Sequence, residues 1–435
     1  MSKLLNDNSR CNVKGLFSVS PMLFFILLFI FIFLLTGNIY KISLSVVFTI
    51  SSVYALYTLK NRSITERIKV FSRGAGQENL MLMLWIFVLA GAFAQTAKDI
   101  GAIDAVVRVA LHFLPSHLIL AGLFVTACFV SLSIGTSVGT VAALVPIATG
   151  IATSTGQPTA MLVAAVVGGA FFGDNLSFIS DTTIASTKTQ GCELKDKFKA
   201  NFLIVLPAAI ITVIIYIFTN SQSQYSTEIT AIDYIKMLPY IIILVLAICG
   251  MNVFVVLAVG NLLSGITGMA LGVCNMEDWF VSAGNGIMSM GELIIISMLA
   301  GGMLEVIREN GGIEYIINKL SSHIHSKRGG ELIIGAMVGI TNLCTANNTI
   351  AILSVGKIAK SISTRFGINP CKAASILDTF SCVVQGLIPY GAQFLIASGL
   401  SHVQPTNILP YIYYPVIVGI TAIIGIIIRY PKKYS

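Results

Sequence analysis

Four apolar runs, 21–37 (PMLFFILLFIFIFLLTG), 79–96 (NLMLMLWIFVLAGAFAQT), 201–219 (NFLIVLPAAIITVIIYIFT) and 411–428 (YIYYPVIVGITAIIGIII), limit what this chain can fold into. Each approaches the roughly 20 residues that a helix needs to cross a bilayer. In hydrocarbon every backbone N–H and C=O must find its partner inside the structure, so such segments are expected as helices. Charged residues make up 11% of the chain and hydrophobic ones 55%, against about 25% charged in soluble domains. The expected fold is an all-α polytopic membrane protein.

The first run follows Lys3, Arg10 and Lys14, as a signal peptide would. No small-residue cleavage site follows, and a second apolar run (41–59) begins at once, so the run reads as a retained helix. The net charge of +8 sits in short stretches between apolar runs. That is the pattern of cytoplasmic loops and not of a nucleic-acid-binding face. Eight cysteines without a CxxC pair read as small packing residues, and the five histidines carry no HExxH. Neither a metalloenzyme nor any cofactor is expected.

The chain also repeats itself. Thr136–Ser186 overlays Asn348–Ser398 without a gap at an offset of 212, with Pro158 on Pro370 and Ile184-Ala185-Ser186 on Ile396-Ala397-Ser398. Upstream, Ala90-Gly91 pairs with Ala300-Gly301 at an offset of 210. Charge then gives an independent reading. Stretch 60–73 carries five Lys or Arg (Lys60, Arg62, Arg67, Lys69, Arg73) and its counterpart 274–282 none. Stretch 188–199 carries four (Lys188, Lys195, Lys197, Lys199) and 399–409 none, whereas 145–160 carries none and 357–372 four. Corresponding loops alternate in sign, which places them on opposite sides of the membrane by the positive-inside rule. Two inverted-topology repeats with broken helices or re-entrant hairpins at the midplane are expected, an arrangement of secondary transporters. The expected layout is a cytoplasmic segment 1–20, a first repeat 21–219, a polar linker 220–236, a second repeat 237–430 and a cytoplasmic tail 431–435, in a bacterial inner membrane. Stretches 117–154 and 331–365 read either as full spans or as re-entrant hairpins.

The most polar cluster amid apolar surroundings is GGAFFGDNLSFISDTTIASTKTQG, from Gly168 to Gly191. Asp174 and Asp181 lie seven apart, so a continuous helix would put both on one face; the glycines and Asp181-Thr182-Thr183 allow a broken helix instead. A charge at bilayer depth costs about 2.5–3.5 kcal/mol on insertion scales, which weighs against acids that only cap helix ends. Carboxylates, hydroxyls, amides and carbonyls freed by helix breaks are the hard oxygens a sodium ion takes, and Asp174 and Asp181 are the expected sodium ligands. Asp174, Asn175, Ser177, Asp181, Thr182, Thr183 and Asp378 form the expected ion and proton path. A second cluster, GITNLCTANNTIAIL, offers Thr345, Asn347, Asn348 and Thr349; its repeat mate offers Thr136 and Ser137, and Gln385 follows Asp378. These are the expected ligands of ion or substrate, although small polar residues in membrane helices also serve only to bond neighbouring helices. In the overlay Gly386 takes the place of Asp174 and Gln393 that of Asp181, so the halves differ chemically. Glu292 and Glu305 are open between buried and interfacial.

Gly173-Asp174-Asn175-Leu176-Ser177 followed by Ser180-Asp181-Thr182-Thr183 resembles the GD-x-LS-x-x-SDTT pattern of the NhaC-type sodium/proton antiporter family, within the ion transporter superfamily. The resemblance implies cation-coupled antiport, with Asp174, Ser177, Asp181, Thr182 and Thr183 on the path and paired hairpin tips near Thr136–Ser137 and Asn347–Thr349. Small ions, and lipid around the bundle, are the expected partners; a homodimer is compatible. A sodium- or proton-coupled amino-acid or carboxylate transporter is the alternative. An intramembrane aspartyl protease is remote, because Phe171 stands where its GxGD motif needs glycine.

Overall fold

A computed structural model describes residues 2–36, 43–60, 62–113, 115–178, 180–219, 233–321, 324 and 326–434. Most of the expected linker, 220–232, lies outside the described residues. Among those described the chain is helical. The first half comprises α1 (Ser2–Thr36), α2 (Leu44–Thr58), α3 (Ile64–Ala75), α4 (Glu78–Asp99), α5 (Ala102–Phe113), α6 (Ile119–Ile134), α7 (Ser137–Thr155), α8 (Thr159–Leu176), α9 (Asp181–Gln190) and α10 (Leu194–Thr219). The second comprises α11 (Leu238–Ile248), α12 (Val253–Ala270), α13 (Met276–Ser289), α14 (Gly291–Glu309), α15 (Gly312–Ser321), α16 (Lys327–Thr345), α17 (Asn348–Phe366), α18 (Pro370–Gln385), α19 (Ala392–Ser401), α20 (Pro405–Ile408) and α21 (Tyr413–Ile427). Among the described residues, seven helical stretches are long and apolar enough to cross a membrane.

Burial separates centre from rim. Fifteen of the 18 residues of α8 are buried, whereas only nine of the 26 of α10 are, and α10 exposes Ile210, Ile211, Ile214 and Phe218. Likewise α21 exposes Ile420, Ile423, Ile424 and Ile427. Apolar faces of that extent suit lipid rather than water. α8 is lined all round with small and apolar residues (TAMLVAAVVGGAFFG), which lets α6 and α7 close on it.

The two halves share features of helix order, capping and crossing. α3 starts with a capping box between Ser63 and Glu66, and α13, 212 residues on, with one between Asn275 and Asp278. The Ser63 N–H and hydroxyl bonded to Glu66 hold its carboxyl below the ordinary range. α3 packs on α14 while α13 packs on α4, and α9 lies against α17 while α19 lies against α7. The α3–α14 and α13–α4 crossings are glycine to glycine: a Cβ on Gly74 would lie 2.4 Å from the Gly301 carbonyl, and one on Gly91 2.4 Å from the Gly286 carbonyl.

Several expectations change. Stretch 60–73 is not a loop but largely the amphipathic helix α3, and its counterpart 274–282 opens α13. Stretch 188–199 consists mostly of helix ends, and Lys197 in it is fully buried, as is Lys372 in 357–372. Those two lysines are packed inside the protein and carry no information about which side is cytoplasmic. Glu305 is buried, bonded by Arg73 (2.9 Å) and Gln77 (3.2 Å), whereas Glu292 is exposed and accepts from Ser45 (3.0 Å).

Candidate functional site

Four helix interruptions converge. α6 gives way to α7 at Gly135–Thr136, where Gly135 takes the left-handed conformation (φ 74°) that ends the helix without a Cβ clash. Its counterpart between α16 and α17 has Ala346 in that conformation (φ 46°), a strained place for a residue with a Cβ. α8 breaks before α9, and α18 before α19. Helix ends expose unpaired N–H groups at one terminus and carbonyls at the other, so this meeting point is polar although apolar helices surround it.

Between these breaks lies a cavity of about 460 Å³. It is lined by Thr136, Ser137, Asp174, Asp181, Thr182, Asn347, Asn348, Thr349, Gln385 and Gln393. Asp174 is 4% exposed, in the last turn of α8. Its Oδ1 accepts from the Ser137 backbone N–H (3.0 Å), and its Oδ2 from the Ser137 hydroxyl (2.5 Å) and the Asn348 amide (3.5 Å). The carboxylate thus faces the N-terminus of α7, where the helix dipole and a free N–H favour negative charge. All three donors are uncharged.

The second half supplies amides. Gln393 donates to the Ser137 hydroxyl (2.8 Å), and Gln385 donates to the Ala346 carbonyl (2.9 Å) and to Gln393 Oε1 (3.0 Å). Those two bonds turn Gln385 Oε1 the other way, and that oxygen is buried without a hydrogen-bond partner. A buried acceptor left unmade costs about 1–3 kcal/mol.

Other expected site residues are arranged differently. Asp181 is exposed, at the first position of α9, so the break puts the two acids in unlike environments and not on one helical face. Thr182 lines the cavity and, with Thr183, donates to the Asp174 carbonyl (2.9 and 3.4 Å). Asn347 caps α17 through the Ile350 N–H (3.0 Å), and Thr345 donates to the Asn347 carbonyl (3.0 Å). Asn175 turns its side chain to the Phe171 carbonyl and towards Tyr414, and Ser177 bonds the Leu132 carbonyl, so both tie helices together.

Asp378 does not line the cavity. It is 0% exposed on α18 and pairs with Lys197 of α10, also 0% exposed. Lys197 further donates to the Asn175 carbonyl (2.9 Å) and the Thr183 hydroxyl (2.7 Å), and Asn201 donates to the Asn175 carbonyl (2.8 Å) and Asp378 (3.1 Å). Sequence reading missed Lys197 and Asn201 as site neighbours. The only signal was that Lys197 and Asn201 lie one turn apart at the mouth of an apolar run.

Discontinuous helices meeting around a buried carboxylate in an apolar bundle define a membrane transport protein. The chain matches the Na+/H+ antiporter family over residues 12–221 and 223–428, two stretches that part between the halves. It belongs to that family. It is 26% identical over 398 residues to the Na+/H+ antiporter NhaC of Bacillus subtilis, covering 82% of this chain and 85% of that one. It is 26% identical over 292 residues to NhaC of Alkalihalophilus pseudofirmus (59% and 62%), and 18% identical over 385 residues to the malate-2H+/Na+-lactate antiporter of Bacillus subtilis (80% and 82%). Among solved structures, the Alcanivorax borkumensis YdaH transporter matches at a TM-score of 0.46 and 11% identity, over 90% of this chain and 98% of that one.

Proposed function

We propose that this chain exchanges sodium for protons by letting the two ions compete for the Asp174 carboxylate, with alternating access across a bacterial cell membrane. The observation that carries the proposal is Asp174 itself: a buried acid whose hydrogen-bond donors among the described residues are all neutral, in the lining of a cavity where helix breaks meet. A buried carboxylate is stable when neutralised, by a proton or by a cation, and unfavourable when empty. Each ion therefore displaces the other. Ser137 and Asn348 hold the carboxylate, Gln393 braces Ser137 and Gln385 braces Gln393; Asp181 and Lys188 lie along the exposed part of the lining. The halves are inverted with respect to the membrane, and both termini face the cytoplasm.

A second reading has its own support. The cavity volume falls in the roughly 300–1,000 Å³ range of small-molecule sites, and one relative carries the name of a malate-2H+/Na+-lactate antiporter. A sodium-coupled carboxylate or amino-acid carrier would use the same fold. Proteoliposomes separate the two. Under antiport, sodium added outside acid-loaded vesicles releases protons with no organic solute present, and the apparent sodium affinity improves as pH rises. If sodium alone moves no protons at any pH and one organic solute restores the flux, the carrier reading replaces antiport. Single cysteines in 60–73 and 274–282 of a cysteine-free background should be labelled by an impermeant reagent from opposite sides. Labelling from one side would end the inverted arrangement.

A further inference from the structure

We infer that the Lys197 ammonium fills a second monovalent-cation site, made by the Asn175 carbonyl, the Thr183 hydroxyl and the Asp378 carboxylate, which a free cation occupies when the lysine is shortened. An ammonium has three N–H donors, and three oxygens from three helices meet them: Asn175 O of α8 (2.9 Å), Thr183 Oγ1 of α9 (2.7 Å) and Asp378 Oδ2 of α18. These are hard oxygen ligands, one of them anionic. The Asn175 carbonyl is available because α8 ends at Leu176, leaving no helical N–H to claim it. The cage does not depend on the lysine for its shape. Asn201 bonds both the Asn175 carbonyl and Asp378, and its own Oδ1 is fixed by Ser375 (2.5 Å) and Thr379 (3.1 Å).

The oxygens stand 2.7 and 2.9 Å from the nitrogen, the spacing of a charge-assisted N–H···O bond and wider than the roughly 2.3–2.6 Å of oxygen around calcium. An ion of ammonium's size, potassium or ammonium itself, therefore fits ahead of sodium. In the native protein the cation is tethered and cannot leave on either side. The position stays filled while ions exchange at Asp174, and it holds the broken first-half helix to α18 of the second half. The inference adds a site to the antiport reading and does not need Asp174 to be the exchanging group.

The test uses Asp174→Asn as background, so that the first site is silent. Rubidium-86 equilibrium binding and thermal melting are measured for Asp174→Asn, for Asp174→Asn with Lys197→Ala, and for the triple variant adding Asp378→Asn, in potassium, ammonium, sodium or N-methylglucamine chloride. The expected result is rubidium bound at about one per chain only in the Lys197→Ala double variant. Its melting temperature should rise in potassium or ammonium over N-methylglucamine, and the triple variant should lose that dependence. A double variant that binds no rubidium, that melts alike in all four salts, or that stays unfolded in all of them overturns the inference, because a fitting cation should restore the cage. Failure of the wild type to bind sodium would count against exchange at Asp174 and leave this result standing.

Discussion

Asp174 and Asp378 are the same side chain, 4% and 0% exposed, on the helices preceding the two breaks, yet their surroundings differ. Asp378 has a lysine against it; Asp174 has a serine and an asparagine. A buried acid with a permanent cation is already neutralised, whereas one held by neutral donors must take its counter-charge from a mobile ion. The overlay shows why the halves diverge. Gly386 stands in the place of Asp174, and a Cβ there would lie 2.5 Å from Pro415 Cγ, so the second half has no room for an acid at its break. Its acid sits about two turns earlier, out of the cavity.

The largest effect should fall on the acid without a cation. Asp174→Asn should lower sodium-driven proton flux at least about 100-fold with protein still in the membrane, since an amide cannot exchange a proton for a cation; flux within a few-fold of wild type would equate the two acids. Lys197→Met should act on stability instead. Removing one partner of a buried pair costs about 3–5 kcal/mol, while removing both is often near neutral. Lys197→Met with Asp378→Asn should therefore melt close to wild type, and equal losses in single and double variants would break the pairing argument. Asn348→Ala and Gln393→Ala remove bonds to Asp174 and to its partner Ser137. Hydrogen bonds to charged groups are worth about 1.5–3 kcal/mol, so Asn348→Ala should weaken apparent sodium affinity roughly tenfold and Gln393→Ala less, read from the sodium dependence of flux. Asp181→Asn should be smallest, under about twofold, because solvent already screens that carboxylate. A loss matching Asp174→Asn would return Asp181 to the path.

Much of this was legible beforehand. Apolar runs marked the helices, and polar residues inside them marked the breaks, because hydrocarbon tolerates neither long polar stretches nor unpaired backbone. Asp174, Ser137, Asn348 and Gln385 stood out for that reason. Asp181 does not share a face with Asp174, because a spacing of seven shares a face only on an unbroken helix. Lys197 was misread because KDKFK looks like a basic loop; the side chain that turns inwards is not distinguishable from its neighbours by composition. Gln393 was noticed only as the mate of Asp181, since a neutral amide sends no signal until its partner Ser137, 256 residues away, is known.

Competition at Asp174 is tested most directly by proton release from purified protein in weak buffer, followed with a pH indicator as sodium is added. Wild type and Asp181→Asn should each release protons in proportion to sodium bound, saturably and more weakly as the starting pH rises and fewer sites hold a proton; Asp174→Asn should release none. Undiminished release from Asp174→Asn, or sodium binding by wild type without any release, would contradict the account.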